Sequence, residues 1–502
     1  MAFSHPTSAY DALSHKPLFR EQGFIGGAWI SGPETFPVHD PATNNVVANV
    51  ASFDAAAFGR AIECAQAALQ QYKETSEHQR CKFLHRFAGL IRSHASDLAT
   101  LLTLENGKTL TEAAGEVEYG ASFISWFAEE AIRSYGDIIP SQHAGSTNFT
   151  IRQPVGVCGI IAPWNFPVAM ITRKLGPAFA AGCTVVIKPP SETPLCTMAL
   201  NVLLQQAIEE FGLPRDIVQV VPTRNREAIT ELYTNPTVKK ISFTGSTPVG
   251  KAITRTAADT MKKVSMELGG NAPYIIFNDA DVKAAVDGVL ACKFRCSGQT
   301  CVCANRLLVQ AEIHDQFVQS LLERMKTFKV GSGFDPSVTH GPLVNKAAVS
   351  KVREHIDDAV SRGAKLLFGG HAPTGLSPRE LDCGFFIEPA LLTGVTTEMK
   401  VARDETFGPL APIFKFDTVE DAIRIANDTE FGLAAYFFSS DMRTIWHVSR
   451  RLEAGMVGVN TGKISAAEAP FGGIKESGVG KEGSKYGLAE YQVIKNITIG
   501  GM

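Results

Sequence analysis

The sequence predicts an α/β protein with two Rossmann-like parallel-sheet domains in series and one small β element. Within residues 152–259, the β-branched runs VGVCGII, TVVIKP, IVQVV and KKISFTG are each followed by an amphipathic stretch of helical length. This alternation is typical of βαβ units, in which helices cover a parallel sheet. A second alternating set starts near Glu267, and the GGN at 269–271 separates the two sets.

The other segments complete the order of elements. Residues 54–127 carry the apolar stripes IECAQAAL, FLHRFAGLI and FISWFAEEAI, which predict helices. In the second set, the predicted strands RLLVQ, KLLFGG, LAAYFFS and MVGVN alternate with helical segments. Residues 146–154 and 491–499 are β-rich and lie outside both sets. We expect one domain from residues 1–138 and 159–269, a second from 270–470, and the small β element from 139–158 and 485–502.

Composition limits the class of partner. The 502 residues include 48 basic and 51 acidic side chains, a net charge of -3, which gives no electrostatic reason to expect nucleic acid or an anionic membrane as partner. No run approaches the 18 or more apolar residues of a membrane span, and the N-terminal residues lack the apolar core of a signal peptide. We therefore expect a cytoplasmic protein with a small-molecule ligand.

A near match to the phosphate-binding loop of nucleoside triphosphatases lies at residues 245–252, GSTPVGKA. Two departures argue against that class. Ala252 stands where a hydroxyl would ligate Mg²⁺, and Pro248 removes a backbone N–H from the anion cradle. Gly245 and Ser246 still suit a dinucleotide pyrophosphate at a helix N-terminus, with an ordinary tight turn as the alternative.

The stretch SGQTCVCANR, residues 297–306, contains two of the ten cysteines. A zinc site favours C-x₂-C spacing with further ligands, whereas this spacing is C-x-C with no histidine within ten residues. A disulfide between Cys301 and Cys303 would need distortion, because alternate Cα atoms in an extended chain are about 7 Å apart. A nucleophilic thiol is the third interpretation, with a buried inert thiol as the ordinary alternative.

Three further segments carry polar side chains suited to chemistry. Asn165 lies in the stiff loop PWNFP after a predicted strand, and a buried carboxamide can donate to an oxyanion. Glu267 ends an apolar strand, and the glycines at 269 and 270 let the backbone approach a ligand closely. A carboxylate at this place suits a general base with a raised pKa, with a solvated strand-end glutamate as the ordinary alternative. The segment ETFGP at 405–409 places Glu405 beside Phe407, a pairing suited to ribose hydroxyls and a flat ring. Taken singly, each segment could be only a turn.

The motifs PWNFP, KPPSETP, FTGST, MELGGNAP, GQTCVCANR, ETFGP and PFGGIKESG occur in an order and rough spacing that resemble the aldehyde dehydrogenase superfamily. The resemblance runs from Phe24 to the C-terminus and implies an aldehyde-dehydrogenase-like fold. It implies that Cys301 is the nucleophile, Glu267 the base for the deacylating water, and Asn165 the oxyanion donor. It also implies an NAD(P) cofactor, no metal, and these cofactor-binding residues: Pro163, Trp164, Lys188, Ser191, Gly245, Ser246, Leu268, Glu405 and Phe407.

Ser191 replaces the acidic residue that this family usually has three positions after the lysine of TVVIKP. Against a 2′-phosphate about 4 Å away, a carboxylate would cost on the order of 4 kcal/mol at an effective dielectric of 20. Serine removes this repulsion, so we expect NADP to be preferred, with Lys188 pairing the phosphate and NAD still usable. The neighbouring Glu192 could oppose this preference.

The surroundings of the nucleophile resemble the succinate-semialdehyde dehydrogenase subfamily. ITRK with Arg173, KFR with Arg295, the C-x-C loop and KISAAEAPFGG with Ser465 carry this resemblance. It implies that the two arginines and the serine hold the distal carboxylate of the aldehyde, a task suited to guanidinium groups. For the arginines the alternatives are a favourable contact of Arg295 with the helix dipole and a solvated helix position for Arg173. For the function they are glutaric semialdehyde or another ω-carboxy or aliphatic aldehyde as substrate, a catalytically silent relative, and a thiol-redox protein.

Two further expectations follow from the resemblance. Residues 146–154 and the C-terminal tail match the family's oligomerisation element, which implies a homo-oligomer, either a dimer or a tetramer. Cys303 is expected to be the redox partner of Cys301 in a reversible disulfide, against the alternative of a buried thiol.

Overall fold

The computed structural model describes residues 5, 6 and 8–501. Residues 1–4, 7 and 502, which belong to the predicted domains, lie outside the described residues. The N-terminal third contains the elements α1 (Ala9–Ala12), β1 (Gly23–Ile25), β2 (Ala28–Ile30), β3 (Glu34–His39), β4 (Val46–Ser52), α2 (Ala55–Tyr72), α3 (Glu77–Ser93), α4 (Ala95–Asn106), α5 (Leu110–Ala131), β5 (Ile138–Pro140) and β6 (Ser146–Pro154). Helices α2, α3 and α5 begin at side-chain caps, because Asp54, Ser76 and Thr109 each accept a hydrogen bond from the N–H three residues on.

The first alternating series follows. It contains β7 (Val157–Ile161), α6 (Ala169–Ala181), β8 (Thr184–Lys188), α7 (Leu195–Glu210), β9 (Val218–Val220), α8 (Thr230–Thr234), β10 (Val238–Thr244), α9 (Thr247–Ala257) and β11 (Lys263–Glu267).

The second alternating series and the tail complete the chain. They contain β12 (Ala272–Ile276), α10 (Val282–Lys293), β13 (Ala304–Gln310), α11 (His314–Met325), α12 (Lys346–Ser361), β14 (Lys365–Phe368), α13 (Pro378–Cys383), β15 (Ala390–Thr393), α14 (Lys400–Arg403), β16 (Leu410–Phe416), α15 (Val419–Asn427), β17 (Ala434–Phe438), α16 (Met442–Arg451), β18 (Met456–Val459), β19 (Gly478–Val479), α17 (Ser484–Ala489) and β20 (Gln492–Gly500).

The first sheet has eight strands in the order β19, β11, β10, β7, β8, β9, β1, β2. Its five central strands are parallel, and β19, β1 and β2 add antiparallel edges. The burial of every residue of β7 fits a strand covered on both faces. The domain prediction left residues 471–484 unassigned, whereas the structure places β19 from this stretch beside β11, so the C-terminal region contributes to the first sheet.

The second sheet has seven strands in the order β14, β15, β16, β13, β12, β17, β18, all parallel except β14. A third sheet joins β20, β6 and β5 in antiparallel pairs. This small sheet starts at Ile138 rather than 139, and residues 485–489 of the predicted β element are helical, belonging to α17. Among the described residues, no helix combines the length and apolarity that crossing a membrane requires.

Candidate active site

The predicted site segments converge at one edge of the first sheet. Strand β7 is central, with β8 and β9 on one side and β10 and β11 on the other, so the strand order reverses at β7. Ligands of open parallel sheets bind outside the carboxyl ends of the strands at such a point. Here the PWNFP loop follows β7, Gly245 follows β10, and Glu267 is the last residue of β11.

The loop that carries Cys301 reaches this edge from the second sheet. Asn165 Nδ2 donates a hydrogen bond of 3.0 Å to the backbone oxygen of Gln299. A Cβ atom on Gly270 would lie 2.7 Å from the Cys301 backbone oxygen, so the chain between the two sheets packs directly against the loop. The Cys301 side chain stays partly exposed at the crevice.

Strained backbone shapes the start of this loop. Cys296 and Ser297 both have φ of 51°, and Gly298 has φ of 76°, three consecutive residues in the left-handed region. Non-glycine residues hold that conformation only when their surroundings fix it. The Cys296 N–H donates to Glu112 Oε1 at 2.7 Å, and Ser297 Oγ donates to the Gly341 backbone oxygen at 2.8 Å.

The backbone of Asn165 is held in place by a buried ion pair. Lys108 Nζ lies 2.5 Å from Glu116 Oε2 and donates to the Asn165 backbone oxygen at 2.8 Å. The other oxygen of Glu116 accepts from the N–H of Val168 at 2.9 Å, at the start of α6, which lacks a side-chain cap of its own. Asn165 is buried, as a donor to an oxyanion should be, and its Oδ1 has no hydrogen-bond partner among the described residues.

Glu267 is a buried carboxylate with both oxygens lacking a hydrogen-bond partner among the described residues. Its Oε1 lies 2.8 Å from the position of a Cβ on Gly472, so only glycine leaves room for it there. Burial raises the pKa of Glu267 well above its usual range, and the nearby Glu482 carboxylate raises it further. A raised pKa is the direction of shift that a general base near neutral pH requires.

The two cysteines of the loop differ in their surroundings. Burial raises the pKa of the Cys301 thiol to about 12, the Glu405 carboxylate adds to this effect, and the Arg173 cation opposes it. Cys303 is buried just before β13, and its Sγ lies 3.5 Å from the Lys293 backbone oxygen. All ten cysteines are free thiols.

Lys188 and Ser191 form a small polar pocket at the end of β8. Lys188 Nζ donates to Ser191 Oγ at 3.2 Å, and Ser191 Oγ donates to the Thr223 backbone oxygen at 3.2 Å. Burial lowers the pKa of Lys188 to about 8, with Arg224 contributing in the same direction and Glu192 opposing. Glu192 itself is solvent-exposed.

Gly245 and Ser246 lie between β10 and the first turn of α9. Ser246 is the N-cap of this helix, yet its side chain makes no capping hydrogen bond and is exposed. A Cβ on Gly245 would come within 2.6 Å of the Phe243 ring. The Leu268 side chain fills the space that a Cβ on Gly250, a residue of α9, would occupy. These features fit a dinucleotide phosphate at a helix N-terminus.

The remaining predicted cofactor residues lie across the crevice. Glu405 Oε1 accepts a hydrogen bond of 3.1 Å from the Gly270 N–H, and burial raises the pKa of Glu405 to about 7. The rings of Trp164 and Phe407 meet edge to face at 5.6 Å, and Phe407 has φ of 53°. Pro163 is partly exposed beside Trp164. Polar groups and flat rings around one cleft fit a nucleotide ligand.

The three predicted substrate residues have different surroundings. Arg173 is buried on α6, so the alternative of a solvated helix residue is wrong; its Nη2 donates to Tyr119 Oη at 2.6 Å, and Nη1 lies 3.4 Å from Glu482 Oε2. Arg295 is exposed, and its guanidinium lies 4.9 Å from the Phe166 ring. Ser465 is partly buried and makes no hydrogen bond to either arginine among the described residues.

Several residues of this site were missed in the sequence. Besides Lys108 and Glu116, a buried ion pair joins Lys174 Nζ to Glu482, and Lys174 also donates to Thr244 Oγ1 at 2.6 Å. The sequence held one signal, because Glu112, Glu116 and Tyr119 recur at helical spacing on one face of α5. Glu116 falls within the apolar stripe of that helix, where a charge needs a buried partner.

The parallel sheets, the polar strand ends and the partly exposed cysteine beside them fit the class of nucleotide-dependent oxidoreductases. A model of the aldehyde dehydrogenase family matches residues 29–497. The chain is 48% identical to a succinate-semialdehyde dehydrogenase [NADP(+)] of Saccharomyces cerevisiae, over 100% of this chain and 98% of that protein. It is also 48% identical to a glutarate-semialdehyde dehydrogenase of Pseudomonas aeruginosa, over 98% of this chain and 100% of that protein.

Solved structures agree with these similarities. The structure of a succinate-semialdehyde dehydrogenase from Burkholderia pseudomallei superposes with a TM-score of 0.94 at 47% identity, covering 97% of this chain and 100% of that one. The chain belongs to the aldehyde dehydrogenase family, and it is an enzyme that oxidises aldehydes with a nicotinamide cofactor.

Proposed function

We propose that this enzyme oxidises succinic semialdehyde to succinate and prefers NADP to NAD. The assignment of the substrate rests on Arg295. This residue directly precedes the strained segment 296–298 at the start of the nucleophile loop. Its guanidinium packs on Phe166, next to Asn165, and has no carboxylate partner among the described residues. An exposed guanidinium beside the oxyanion donor suits the distal carboxylate of the substrate. The names of the similar proteins support the same class of aldehyde.

The roles of Arg173 and Ser465 belong to the same proposal. Arg173 already has an ion-pair partner in Glu482, and its Nε lacks a hydrogen-bond partner among the described residues. That N–H is the donor through which Arg173 would contact the substrate carboxylate, with the Ser465 hydroxyl as a further donor. Glutaric semialdehyde, one methylene longer, is the second candidate, because a similar protein bears that name.

Chemistry starts at the Cys301 sulfur. The partly exposed Cys301 thiol first gives its proton to solvent. The resulting thiolate adds to the aldehyde carbon and gives a tetrahedral thiohemiacetal, whose oxyanion accepts hydrogen bonds from Asn165 Nδ2 and the Cys301 N–H. A nicotinamide held by the proposed cofactor residues would supply the acceptor for the hydride that leaves this carbon. Loss of hydride leaves a thioester on Cys301. Burial and the Glu405 charge raise the pKa of the Cys301 thiol, so only a small fraction of it is thiolate at neutral pH. The positive charge of Arg173 acts in the opposite direction and favours the thiolate.

Glu267 completes the cycle. Its carboxylate takes a proton from a water molecule as that water attacks the thioester carbonyl, releasing the acid and the Cys301 thiolate. A carboxylate with a raised pKa and free oxygens suits this role, since both features favour proton uptake near neutral pH. The base form is lost as pH falls through the raised pKa, so we expect activity to fall on the acid side.

The cofactor proposal rests on the pocket formed by Lys188 and Ser191, which presents an ammonium and a hydroxyl with no carboxylate at position 191. Glu405 would bind the nicotinamide ribose, Trp164 and Phe407 would line the ring site with Pro163, and Gly245, Ser246 and Leu268 would line the pyrophosphate site. We also propose that the domain built on the first sheet binds the dinucleotide and that residues 270–470 form the catalytic domain. The predicted bound at residue 159 shifts to Val157, where β7 begins, and β19 joins the first of these domains.

Two further parts of the proposal concern assembly and redox control. Strands β5, β6 and β20 expose large apolar side chains, among them Ile138, Ile494 and Ile499, so we propose that this sheet pairs with other subunits in a dimer or tetramer. Cys303 is proposed to form a reversible disulfide with Cys301 under oxidising conditions.

The experiment is a spectrophotometric scan of aldehydes with each cofactor. Succinic, glutaric and malonic semialdehydes are compared with butyraldehyde at saturating cofactor, and NADP and NAD are then each varied at saturating succinic semialdehyde. We expect the highest kcat/KM with succinic semialdehyde and NADP. An equal kcat/KM for butyraldehyde would contradict the carboxylate proposal, and an NAD preference above about tenfold would contradict the cofactor proposal.

A further inference from the structure

A second cation lies beside the pocket of Lys188 and Ser191. The Thr223 backbone oxygen accepts the Ser191 hydroxyl at 3.2 Å, and Arg224 is the next residue in the loop after β9. The side chain of Arg224 is exposed. No recognisable motif marks this loop in the sequence.

The loop that contains Thr223 and Arg224 is held in place by hydrogen bonds to two other segments of the chain. Thr223 Oγ1 donates to the Phe53 backbone oxygen at 2.8 Å, and the Asn225 N–H donates to Thr223 Oγ1 at 3.0 Å. Arg224 Nη2 donates to the Pro37 backbone oxygen at 3.1 Å, and its guanidinium lies 5.0 Å from the Phe36 ring. A guanidinium held in place in this way loses less side-chain entropy on binding an anion.

Charge in this region favours an anion. Arg224 has no carboxylate partner among the described residues, and its positive charge contributes to the lowered pKa of Lys188. Two cations that repel each other are both stabilised when a phosphate dianion is placed between them. The exposed Glu192 is the opposing charge, since it raises the Lys188 pKa.

We propose that Arg224 is a specificity-determining residue that binds the 2′-phosphate of NADP together with Lys188 and Ser191. Arg224 supplies guanidinium donors from the solvent side, while Lys188 and Ser191 supply an ammonium and a hydroxyl from the end of β8. This inference rests on the proposed preference for NADP and names the residue that would strengthen it.

Calorimetric titration of the enzyme with NADP⁺ and NAD⁺, without aldehyde, tests the inference. Arg224→Gln removes the charge and keeps a polar, flexible side chain. Arg226→Gln is the matched control, because Arg226 is also exposed in the same loop. We expect Arg224→Gln to weaken NADP⁺ binding about tenfold and NAD⁺ binding less than about twofold, with Arg226→Gln changing neither.

The outcomes test the role of Arg224 separately from the proposed preference for NADP. If Arg224→Gln weakens both nucleotides equally, or neither, or if Arg226→Gln weakens NADP⁺ as strongly, the inference is wrong. A thermal melt of each variant identifies any general loss of folding. If the unmodified enzyme binds NAD⁺ more tightly but Arg224→Gln still weakens NADP⁺ alone, the cofactor preference fails and the role of Arg224 stands.

Discussion

Lys108 and Glu116 form a buried ion pair of 2.5 Å that fixes the loop of the proposed oxyanion donor. The lysine ammonium donates to the Asn165 backbone oxygen, and the glutamate accepts from the first N–H groups of α6. Both side chains are about 1% exposed, so neither charge has water to replace its partner. The pair therefore links the stability of the fold to the geometry of the site.

Removing one partner of this pair should cost both stability and activity. For Glu116→Gln we expect a loss of about 3 to 5 kcal/mol in the free energy of unfolding, because the Lys108 charge stays buried without its counter-charge. We also expect kcat to fall, because Asn165 loses its support. Urea denaturation and steady-state kinetics measure the two effects.

The control is Glu118→Gln on the same helix. Glu118 pairs with Arg92 at the surface, where the two side chains are 61% and 41% exposed, so the loss should be less than about 1 kcal/mol. Equal losses in the two variants would show that the Lys108–Glu116 pair has no special role.

The raised pKa of Cys301 predicts slow alkylation by iodoacetamide in the absence of cofactor. With a pKa of about 12, the thiolate fraction should rise about tenfold per pH unit between roughly pH 8 and 10 without a plateau. Glu405→Gln should speed alkylation at pH 9, because Glu405 is the largest charge that raises this pKa. Exposed Glu192→Gln is the control. The Cys301 peptide is followed by mass spectrometry, and a plateau below about pH 9 would contradict the raised pKa.

Arg295→Ala tests the carboxylate site with little risk to folding, because Arg295 is exposed and has no ion-pair partner among the described residues. We expect kcat/KM for succinic semialdehyde to fall about 10- to 100-fold, and kcat/KM for butyraldehyde to stay nearly unchanged. Parallel losses on the two aldehydes would rule out a carboxylate contact. Arg173 is a poorer choice for this test, because its loss would leave Glu482 without one of its cations.

Peroxide treatment tests the proposed role of Cys303. The enzyme should lose activity and regain it with dithiothreitol, whereas Cys303→Ala should oxidise beyond recovery, since no neighbouring thiol can trap the sulfenic acid. Buried Cys292→Ala is the matched control. Equal recovery of Cys303→Ala and the unmodified enzyme would exclude the Cys301–Cys303 bridge.

Much of the fold could be predicted because its signals are local. The β-branched runs of β7, β8 and β10 alternate with amphipathic helices, and that pattern alone indicates a parallel sheet. The pairing of β19 with β11 could not be predicted, because a two-residue strand has no pattern and its partner lies more than 200 residues away in the chain.

The residues of the site also differ in whether the sequence alone reveals them. Cys301, Asn165 and Glu267 stand in short motifs with glycine or proline, which mark them in the sequence. Lys108 and Arg224 lie in segments with ordinary composition, and their importance comes from neighbours that only the tertiary structure supplies. Polar residues that act through distant partners are the ones that sequence reasoning misses.

The most direct test of the account is to trap the thioester on Cys301. Glu267→Gln keeps the shape of the side chain but cannot take a proton from water, so hydrolysis should slow by about 10²- to 10⁴-fold while the acyl group still forms. The variant is mixed with succinic semialdehyde and NADP⁺, quenched in acid, digested and analysed by mass spectrometry. We expect a succinyl group on the peptide that carries Cys301. NADPH formation with no acyl group on Cys301, or with the group on another cysteine, would contradict it.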